Sequence, residues 1–242
     1  MWRPWVEVEG IILEAPDTTL VAIVKDCLVN GKGNHLFPQG MKRVKVPEDA
    51  TQRGVPAKAY DAYRLGLVSA CADAVCVREI DGELQVPLLA RANPPFQGGW
   101  WVQGGAIFNF RLITKFLLWK VLKEAGQRDG DIHGFLSEEH PLGPLWWHED
   151  AHVIPAPLGV YRTAAEDSAP GTACDTLNVA YIVLWSAERP FGHDKDHTAL
   201  RWVTLPELEA DPNLCGHWYP QHLATRALQI VSRAKEEIAE RA

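Results

Sequence analysis

Hydrophobic positions in the middle of the chain form three strand-sized segments. They read LVSACADAVCV from Leu67, GELQVPLLARA from Gly82 and GGWWVQGGAI from Gly98, and each is bounded by glycine, proline or charged residues. Short apolar or alternating runs of this kind are typical of β-strands. The sequence therefore predicts three strands that lead into a helix.

The predicted helix ends near Gly126 and is apolar around almost its whole circumference. Its apolar positions are Leu112, Ile113, Phe116, Leu117, Leu118, Trp119, Val121 and Leu122. A helix with this pattern is buried on several sides. We expect it to pack against the sheet and also against the amino-terminal segment or a second subunit.

The second half of the chain predicts two paired strands, a short strand with a helix, and a final helix. The paired strands are PLGVYR and TLNVAYIVLWSA, and the short strand is part of LRWVTLPELEADP. Thr204 and Glu207 have capping-box spacing, and Pro206 suits the first turn of a helix. The segment from Tyr219 to the end is amphipathic, with its core face at Leu223, Leu228, Val231 and Ile238.

The first 66 residues are less regular and predict an amino-terminal β-rich arm. Residues 6–13 and 19–24 have the pattern of a hairpin whose turn is Pro16-Asp17, and residues 29–56 are rich in glycine, proline and basic residues. We therefore divide the chain into an arm at 1–66 and a main domain at 67–242. Residues 127–152 are predicted to form an irregular insertion in that domain.

Composition and charge favour a small-molecule ligand. The 242 residues are 47% hydrophobic and 23% charged, with a formal net charge of -7 and a pI near 5.7. These values are ordinary for a globular protein, and an acidic chain is poorly suited to bulk nucleic acid. We expect no bulk nucleic acid as the partner, although a local basic pocket is compatible with this composition.

Cysteine usage and the apolar runs indicate a cytoplasmic protein. The five cysteines form no CxxC pair, and Met1-Trp2-Arg3-Pro4 does not lead into a signal peptide. The cysteines are therefore predicted to be buried thiols. Lys115 and Lys120 interrupt the longest apolar run, so no membrane-spanning segment is expected.

One apparent zinc motif is set aside. His148-Glu149-Asp150-Ala151-His152 matches HExxH, which requires a helix to bring both imidazoles to one face. Prolines at 141, 144, 155 and 157 surround the stretch closely. We interpret it, and the nearby Glu138-Glu139-His140, as solvated polar loop.

A glycine pair precedes the predicted central helix. Gly104-Gly105 permits close approach of the backbone, and a helix start can present N–H groups to phosphate. The segment LLARANPPFQGGWWVQGGAIFNFRLITKFLLWKVLKEAG resembles the Nudix hydrolases, especially the branch that contains GDP-mannose mannosyl hydrolase. The resemblance lies in Arg-x-Asn-x-Pro, in Gly-x-Trp-x-Val-x-Gly-Gly and in a helix that ends in Glu-x-Gly. It spans about 67–228, and it implies a Nudix-type α/β/α sandwich with a mixed β-sheet.

The Nudix box itself is degenerate in this chain. Counting from Gly105, Arg111, Lys120 and Lys123 occupy positions at which typical members of the family carry glutamates, and Trp119 replaces an arginine. Glu124 and Gly126 retain the pattern. Typical members use these carboxylates to hold magnesium against a diphosphate, so the usual multi-metal arrangement is not expected here.

The mannosyl hydrolase branch also has an incomplete box, and it attacks the sugar carbon rather than phosphorus. The resemblance implies a single Mg²⁺ or Mn²⁺ ion held by the Gly105 carbonyl, Glu124 and Asp196, with His197 as the base. Asp73, Arg91 and Tyr181 match substrate-binding positions of the branch. Two of its arginines are absent, since Ala106 and Trp119 stand in their places.

Other interpretations of these residues remain open. Arg111, Lys120 and Lys123 could neutralise phosphate directly with no metal. Asp73 could pair locally, Tyr181 could belong to the core, Asp196 and His197 could lie in a polar loop, and Lys120 with Glu124 could be an i,i+4 surface pair.

Three functions fit these observations. The first is hydrolysis of a nucleoside-diphosphate sugar or a related activated diphosphate compound. The second is a catalytically inactive Nudix fold that binds a nucleotide-like ligand as a regulatory module, and the third is a biosynthetic enzyme with a repurposed diphosphate pocket. A homodimer that exchanges the arm is one arrangement compatible with the sequence.

Overall fold

A computed structural model describes residues 10–30, 43–45, 69–93, 96–107, 113–126, 133–137, 145–148, 151–163 and 176–240. Within them there are eleven strands and four helices. The strands are β1 (Gly10–Glu14), β2 (Arg43–Lys45), β3 (Ser69–Ile80), β4 (Glu83–Arg91), β5 (Trp100–Trp101), β6 (Gln103–Ala106), β7 (His133–Ser137), β8 (Leu145–His148), β9 (Ala151–Thr163), β10 (Thr176–Trp185) and β11 (His197–Thr204). The helices are α1 (Asp17–Asn30), α2 (Ile113–Glu124), α3 (Leu205–Ala210) and α4 (Trp218–Ala239).

The strands form a mixed sheet in the order β11-β4-β3-β10-β9-β8-β7-β2. β3 and β10 are parallel, with Ser69 opposite Thr176, whereas the other described pairs are antiparallel. β1, β5 and β6 pair with β9, β4 and β3 respectively. β3 therefore lies at the centre and carries the glycine strand β6 at its amino-terminal half.

Two apolar cores cover the two faces of this sheet. One combines Val75, Val77 and Ile182 of the sheet with residues of α1 and α4. The other combines Ala74 and Val183 of the sheet with the apolar side of α2. Alternating side chains of β3 and β10 point to opposite faces, as strand geometry requires. The mixed-sheet α/β/α architecture expected from the sequence is thereby confirmed.

The predicted amino-terminal hairpin is wrong. The described part of the arm is strand β1 followed by helix α1, and Pro16 lies at the start of the helix, where its carbonyl accepts the Leu20 N–H at 3.1 Å. Leu20, Val21, Val24 and Cys27 recur with helical spacing and are buried in the core. Packing of this face outweighs the local strand preference of the threonines and valines.

The described part of the arm belongs to the same core as the main domain. β1 pairs with β9 and α1 packs against α4. Because helix α1 takes up 14 of residues 10–30, this segment is not β-rich. The boundary at residue 66 stays a prediction, as does the homodimer.

The region predicted as an irregular insertion contains strands in its described part. β7, β8 and the beginning of β9 form antiparallel pairs. His148 ends β8 and His152 lies in β9, fully buried. The interpretation as a loop is therefore wrong at both histidines, the interpretation as solvated is wrong at His152, and neither histidine lies on a helix. Glu138, Glu139, His140, Glu149 and Asp150 lie outside the described residues.

The third strand-sized segment forms two short strands, β5 and β6, which pair with β4 and β3 respectively. The expected elements of the second half of the chain are confirmed. PLGVYR and TLNVAYIVLWSA belong to β9 and β10, which pair antiparallel. Thr204 caps α3, and its N–H donates to Glu207 Oε2 at 2.8 Å. Leu223, Leu228 and Val231 of α4 are buried, whereas Ile238 is half-buried.

Cys27, Cys71, Cys76 and Cys215 are buried, as predicted, whereas Cys174 lies outside the described residues. None of the described helices has the length and apolar character needed to cross a bilayer.

Candidate active site

The glycine turn is clamped between β3 and the end of α2. Gly104 lies opposite Asp73 in the β3–β6 pair, and its N–H donates to Glu124 Oε2 at 3.1 Å. A Cβ atom at Gly104 would lie 2.0 Å from Asp73 Oδ1 and 2.7 Å from the Ala72 carbonyl oxygen. The close approach of β6 to β3 therefore leaves no room for a side chain at Gly104.

Lys120 lies against the same turn. Its Nζ is 2.8 Å from Glu124 Oε1, and the side chains of Lys120 and Glu124 are 18% and 4% exposed. A Cβ atom at Gly105 would lie 3.6 Å from this Nζ. Burial lowers the pKa of Lys120, but Glu124, Asp194 and Asp196 together hold it above its ordinary value. The ammonium is therefore charged, and Lys120 with Glu124 is a buried rather than a surface pair.

The loop before β11 docks on the carboxyl end of α2. The Gly192 N–H donates to the Ala125 carbonyl oxygen at 2.9 Å. Gly126, with φ of +80°, ends the helix in the left-handed conformation that glycine adopts readily. This contact brings residues 194–197 beside Lys120, Lys123 and Glu124.

Asp194 organises the polar groups of this loop. Its Oδ1 is 2.8 Å from His197 Nδ1 and accepts the Asp196 N–H at 3.0 Å. Burial raises the pKa of Asp194, but these two hydrogen bonds and the charge of Lys123 bring it below its ordinary value. An ionised carboxylate therefore orients a histidine ring that is 7% exposed.

Sequence reasoning missed Asp194. A signal was present, because Asp194 precedes His197 by three residues in the turn GHDKDH. The resemblance assigned roles only to Asp196 and His197, and a local carboxylate–imidazole pair is visible only after the turn is built.

Lys123 and Arg91 lie at the edge of the cluster. Lys123 Nζ is 3.9 Å from both Asp194 Oδ2 and Asp196 Oδ2, and its side chain is 32% exposed. Arg91 ends β4 opposite His197 of β11, and its Cζ is 5.7 Å from the centre of the Trp101 ring. The Ala92 N–H donates to the Asp196 carbonyl oxygen at 3.0 Å. Two cations thus flank the histidine loop.

Asp73 and Tyr181 are both buried, on opposite faces of the sheet. Asp73 Oδ2 accepts a hydrogen bond from the Tyr219 hydroxyl at 2.6 Å beneath the glycine turn. Burial raises the pKa of Asp73 to about 7, although the Tyr219 hydrogen bond acts in the opposite direction. Tyr181 belongs to the core against α2. Their substrate-binding roles stay predictions, and Arg111 lies outside the described residues.

The donor set does not fit the predicted divalent ion. Both oxygens of Glu124 already have partners, namely Lys120 Nζ and the Gly104 N–H. Over the described stretches, no three histidine, cysteine or acidic side chains are grouped to hold a metal. A positively charged Lys120 beside Gly105 and Glu124 opposes a second cation there.

The arrangement can therefore perform acid–base chemistry next to an anion. Of the predicted site residues, Gly105, Lys120, Lys123, Glu124, Asp196 and His197 lie in one cluster, with Arg91 at its edge. When a carboxylate fixes Nδ1 of a histidine, Nε2 is the nitrogen that can accept a proton. The neighbouring cations suit a negatively charged substrate.

Three solved structures with overall likeness to the chain contain Nudix or diadenosine tetraphosphate hydrolase domains. The Nudix domain of NrtR from Shewanella oneidensis, solved with ADP-ribose, is 18% identical, with a TM-score of 0.44 over 80% of this chain and 99% of that one. A possible asymmetric diadenosine tetraphosphate hydrolase from Jonesia denitrificans is 22% identical, with a TM-score of 0.46 over 70% and 98%. The Ap4A hydrolase of C. elegans is 13% identical, with a TM-score of 0.41 over 72% and 99%. No family model and no curated protein matches the chain.

Proposed function

We propose that the chain is a Nudix-type hydrolase of a nucleoside-diphosphate sugar or a related activated diphosphate compound, with His197 as its general base. The observation that carries this proposal is the 2.8 Å contact between His197 Nδ1 and Asp194 Oδ1 beside two lysines. A histidine whose orientation is fixed by an ionised carboxylate is suited to repeated proton transfer.

In the proposed reaction, water attacks the sugar carbon that carries the diphosphate. The water oxygen forms a bond to this carbon while its proton passes to His197 Nε2. The bond from carbon to diphosphate oxygen breaks, and its electron pair remains on the leaving diphosphate. His197 then releases the proton to solvent, so the enzyme returns to its starting state.

The negative charge that develops on the leaving diphosphate requires nearby cations. Lys123 is the more exposed of the two clustered lysines, and Arg91 stands at the strand end opposite His197. Both carry the positive charge that phosphate oxygens require, and the Lys123 side chain is 32% exposed. Charge-assisted hydrogen bonds of this kind are about twice as strong as neutral ones. We therefore assign diphosphate binding to Lys123 and Arg91.

A second candidate function is a catalytically inactive module that binds a nucleotide-like ligand. One observation favours it: each oxygen of the Glu124 carboxylate already has a partner, Lys120 or the Gly104 N–H, so this group is held in an ion pair with the turn. In this case the His197–Asp194 pair would have only a structural role in the turn.

Measurement of substrate hydrolysis distinguishes the hydrolase from the inactive binding module. The intact protein is incubated with a panel of nucleoside-diphosphate sugars, with and without Mg²⁺, and release of sugar and nucleoside diphosphate is followed. We expect turnover of at least one compound, and we expect His197→Ala to lower kcat about 10²- to 10⁴-fold through loss of the base. His193→Ala is the matched control because this exposed histidine lies in the same loop.

The proposal fails if no compound is hydrolysed, or if His197→Ala and His193→Ala retain equal activity. Ligand-induced thermal stabilisation without turnover would support the binding module instead.

A further inference from the structure

We propose that Lys120 is a built-in cation that takes the place of a divalent metal beside the glycine turn, so that this site binds its diphosphate ligand without a metal ion. The inference concerns the same site as the proposed function and rests on it for the identity of the ligand. Lys123 and Arg91 keep their proposed role in diphosphate binding, and Lys120 supplies the positive charge that a metal ion would supply beside the glycine turn.

The ammonium group of Lys120 has close contacts at the glycine turn. Lys120 Nζ lies 2.8 Å from Glu124 Oε1 and beside Gly105, whose backbone leaves room for it. The predicted metal set used Glu124 together with the Gly105 carbonyl. The lysine thus occupies the neighbourhood in which those two donors would have met an ion.

The second oxygen of Glu124 binds the backbone of the glycine turn. Oε2 accepts the Gly104 N–H at 3.1 Å, so one carboxylate joins the lysine to the backbone of the turn. The Glu124 side chain is 4% exposed and that of Lys120 is 18% exposed, and separating two opposite charges in such a largely buried position is costly. Lys120 is therefore a fixed part of the turn, and an incoming metal would have to displace it.

The surrounding acidic residues explain how a lysine is tolerated in this position. Glu124 is 2.8 Å from Lys120, and Lys123 is 3.9 Å from both Asp194 and Asp196. The lysines and the carboxylates thus balance most of one another's charge. A typical oxygen-rich cation site requires carboxylates without such counter-ions.

Mn²⁺ binding to the intact protein tests the inference without any turnover. Free Mn²⁺ is measured by electron paramagnetic resonance during titration of wild type, Lys120→Glu and Lys120→Gln. We expect no saturable binding by wild type at millimolar Mn²⁺, whereas Lys120→Glu binds saturably with a Kd at least about tenfold below the highest Mn²⁺ concentration used, because a carboxylate now stands one helical turn from Glu124. Lys120→Gln, which removes only the positive charge, should show a smaller gain.

Lys25→Glu is the matched control. Lys25 also pairs with a glutamate, since its Nζ is 2.7 Å from Glu237 Oε2, but it lies where α1 packs against α4. The same charge reversal there should give no gain in Mn²⁺ binding.

Saturable binding of Mn²⁺ by wild type that is abolished in Glu124→Gln would overturn the inference. It would also be overturned if folded Lys120→Glu and Lys120→Gln bind no more tightly than wild type, or if Lys25→Glu gains as much. The wild-type and Glu124→Gln titrations decide the matter even if the Lys120 variants fail to fold. A protein without hydrolytic activity can still pass this test, so failure of the proposed function is recognised separately.

Discussion

At the scale of single residues, two aspartates near the glycine turn and the histidine loop have opposite environments. Asp194 accepts hydrogen bonds from an imidazole and a backbone N–H, which favour its charged form. Asp73 is 3% exposed, and this burial favours its neutral form although the hydrogen bond from Tyr219 acts in the opposite direction. The same residue type therefore has two different protonation preferences in these two environments.

The raised pKa of Asp73 predicts a pH-dependent stability. The folded state holds a proton up to about pH 7, whereas the unfolded chain releases it near pH 3.9. The folded state thus binds more protons, and stability is lost as pH rises between these values. In urea unfolding at pH 5 and pH 8, Asp73→Asn should gain about 1–3 kcal/mol relative to wild type at the higher pH.

Asp81→Asn, at the exposed turn between β3 and β4, controls for the simple loss of a charge. Parallel pH profiles of wild type and Asp73→Asn would show that Asp73 is ionised in the folded state throughout this range.

At the scale of elements, the site depends on β6 fitting tightly between β3 and α2. Gly104→Ala would place a methyl group 2.7 Å from the Ala72 backbone oxygen, which cannot move away without breaking the β3–β6 pairing. Gly105 has the same φ of 158°, but an added methyl group there meets the flexible end of Lys120 at 3.2 Å. The two glycines therefore form a matched pair.

We expect Gly104→Ala to destabilise the protein by about 2 kcal/mol more than Gly105→Ala, in the range of severe steric substitutions. Thermal and urea unfolding of both variants provide the measurement. Equal destabilisation would mean that the glycine strand does not approach β3 as closely as described.

Elements with a clear local signal were predictable from the sequence. The capping box at Thr204 and Glu207 and the apolar face of α4 identified their helices correctly. Helix α1 was missed because Thr18, Thr19 and Val21 favour strand locally, while its burial against α4 is a long-range effect. β7 and β8 were missed because their pairing partners are likewise set by tertiary structure.

At the scale of the whole molecule, Arg226 joins the described arm to the sheet and to the final helix. Its Nη2 donates to the Ala15 carbonyl oxygen at 2.6 Å and to Asp17 Oδ1 at 2.7 Å, and its Nη1 donates to the Leu158 carbonyl oxygen at 2.7 Å. The arm, β9 and α4 therefore share one buried polar connection. Such a connection is visible only in the folded chain, which is why the sequence suggested a separate arm.

The candidate site was predictable only in part, because its tertiary contacts are likewise visible only in the folded chain. The glycine turn, Glu124 and the loop at 196–197 were identified through the family resemblance, and the structure brings them together. The i,i+4 spacing of Lys120 and Glu124 predicted that they could pair but not that the pair would be largely buried, because such pairs are exposed on most helices. The change from a metal cluster to an ion pair depends on that burial.

The most direct test of the central claim is release of nucleoside diphosphate from a nucleoside-diphosphate sugar in excess EDTA. We expect the wild-type rate in EDTA to equal the rate in Mg²⁺, and we expect His197→Ala to lose activity under both conditions. Complete loss of wild-type activity in EDTA, with recovery on addition of Mg²⁺, would show that hydrolysis requires a metal, and full activity of His197→Ala would show that this histidine is not the base.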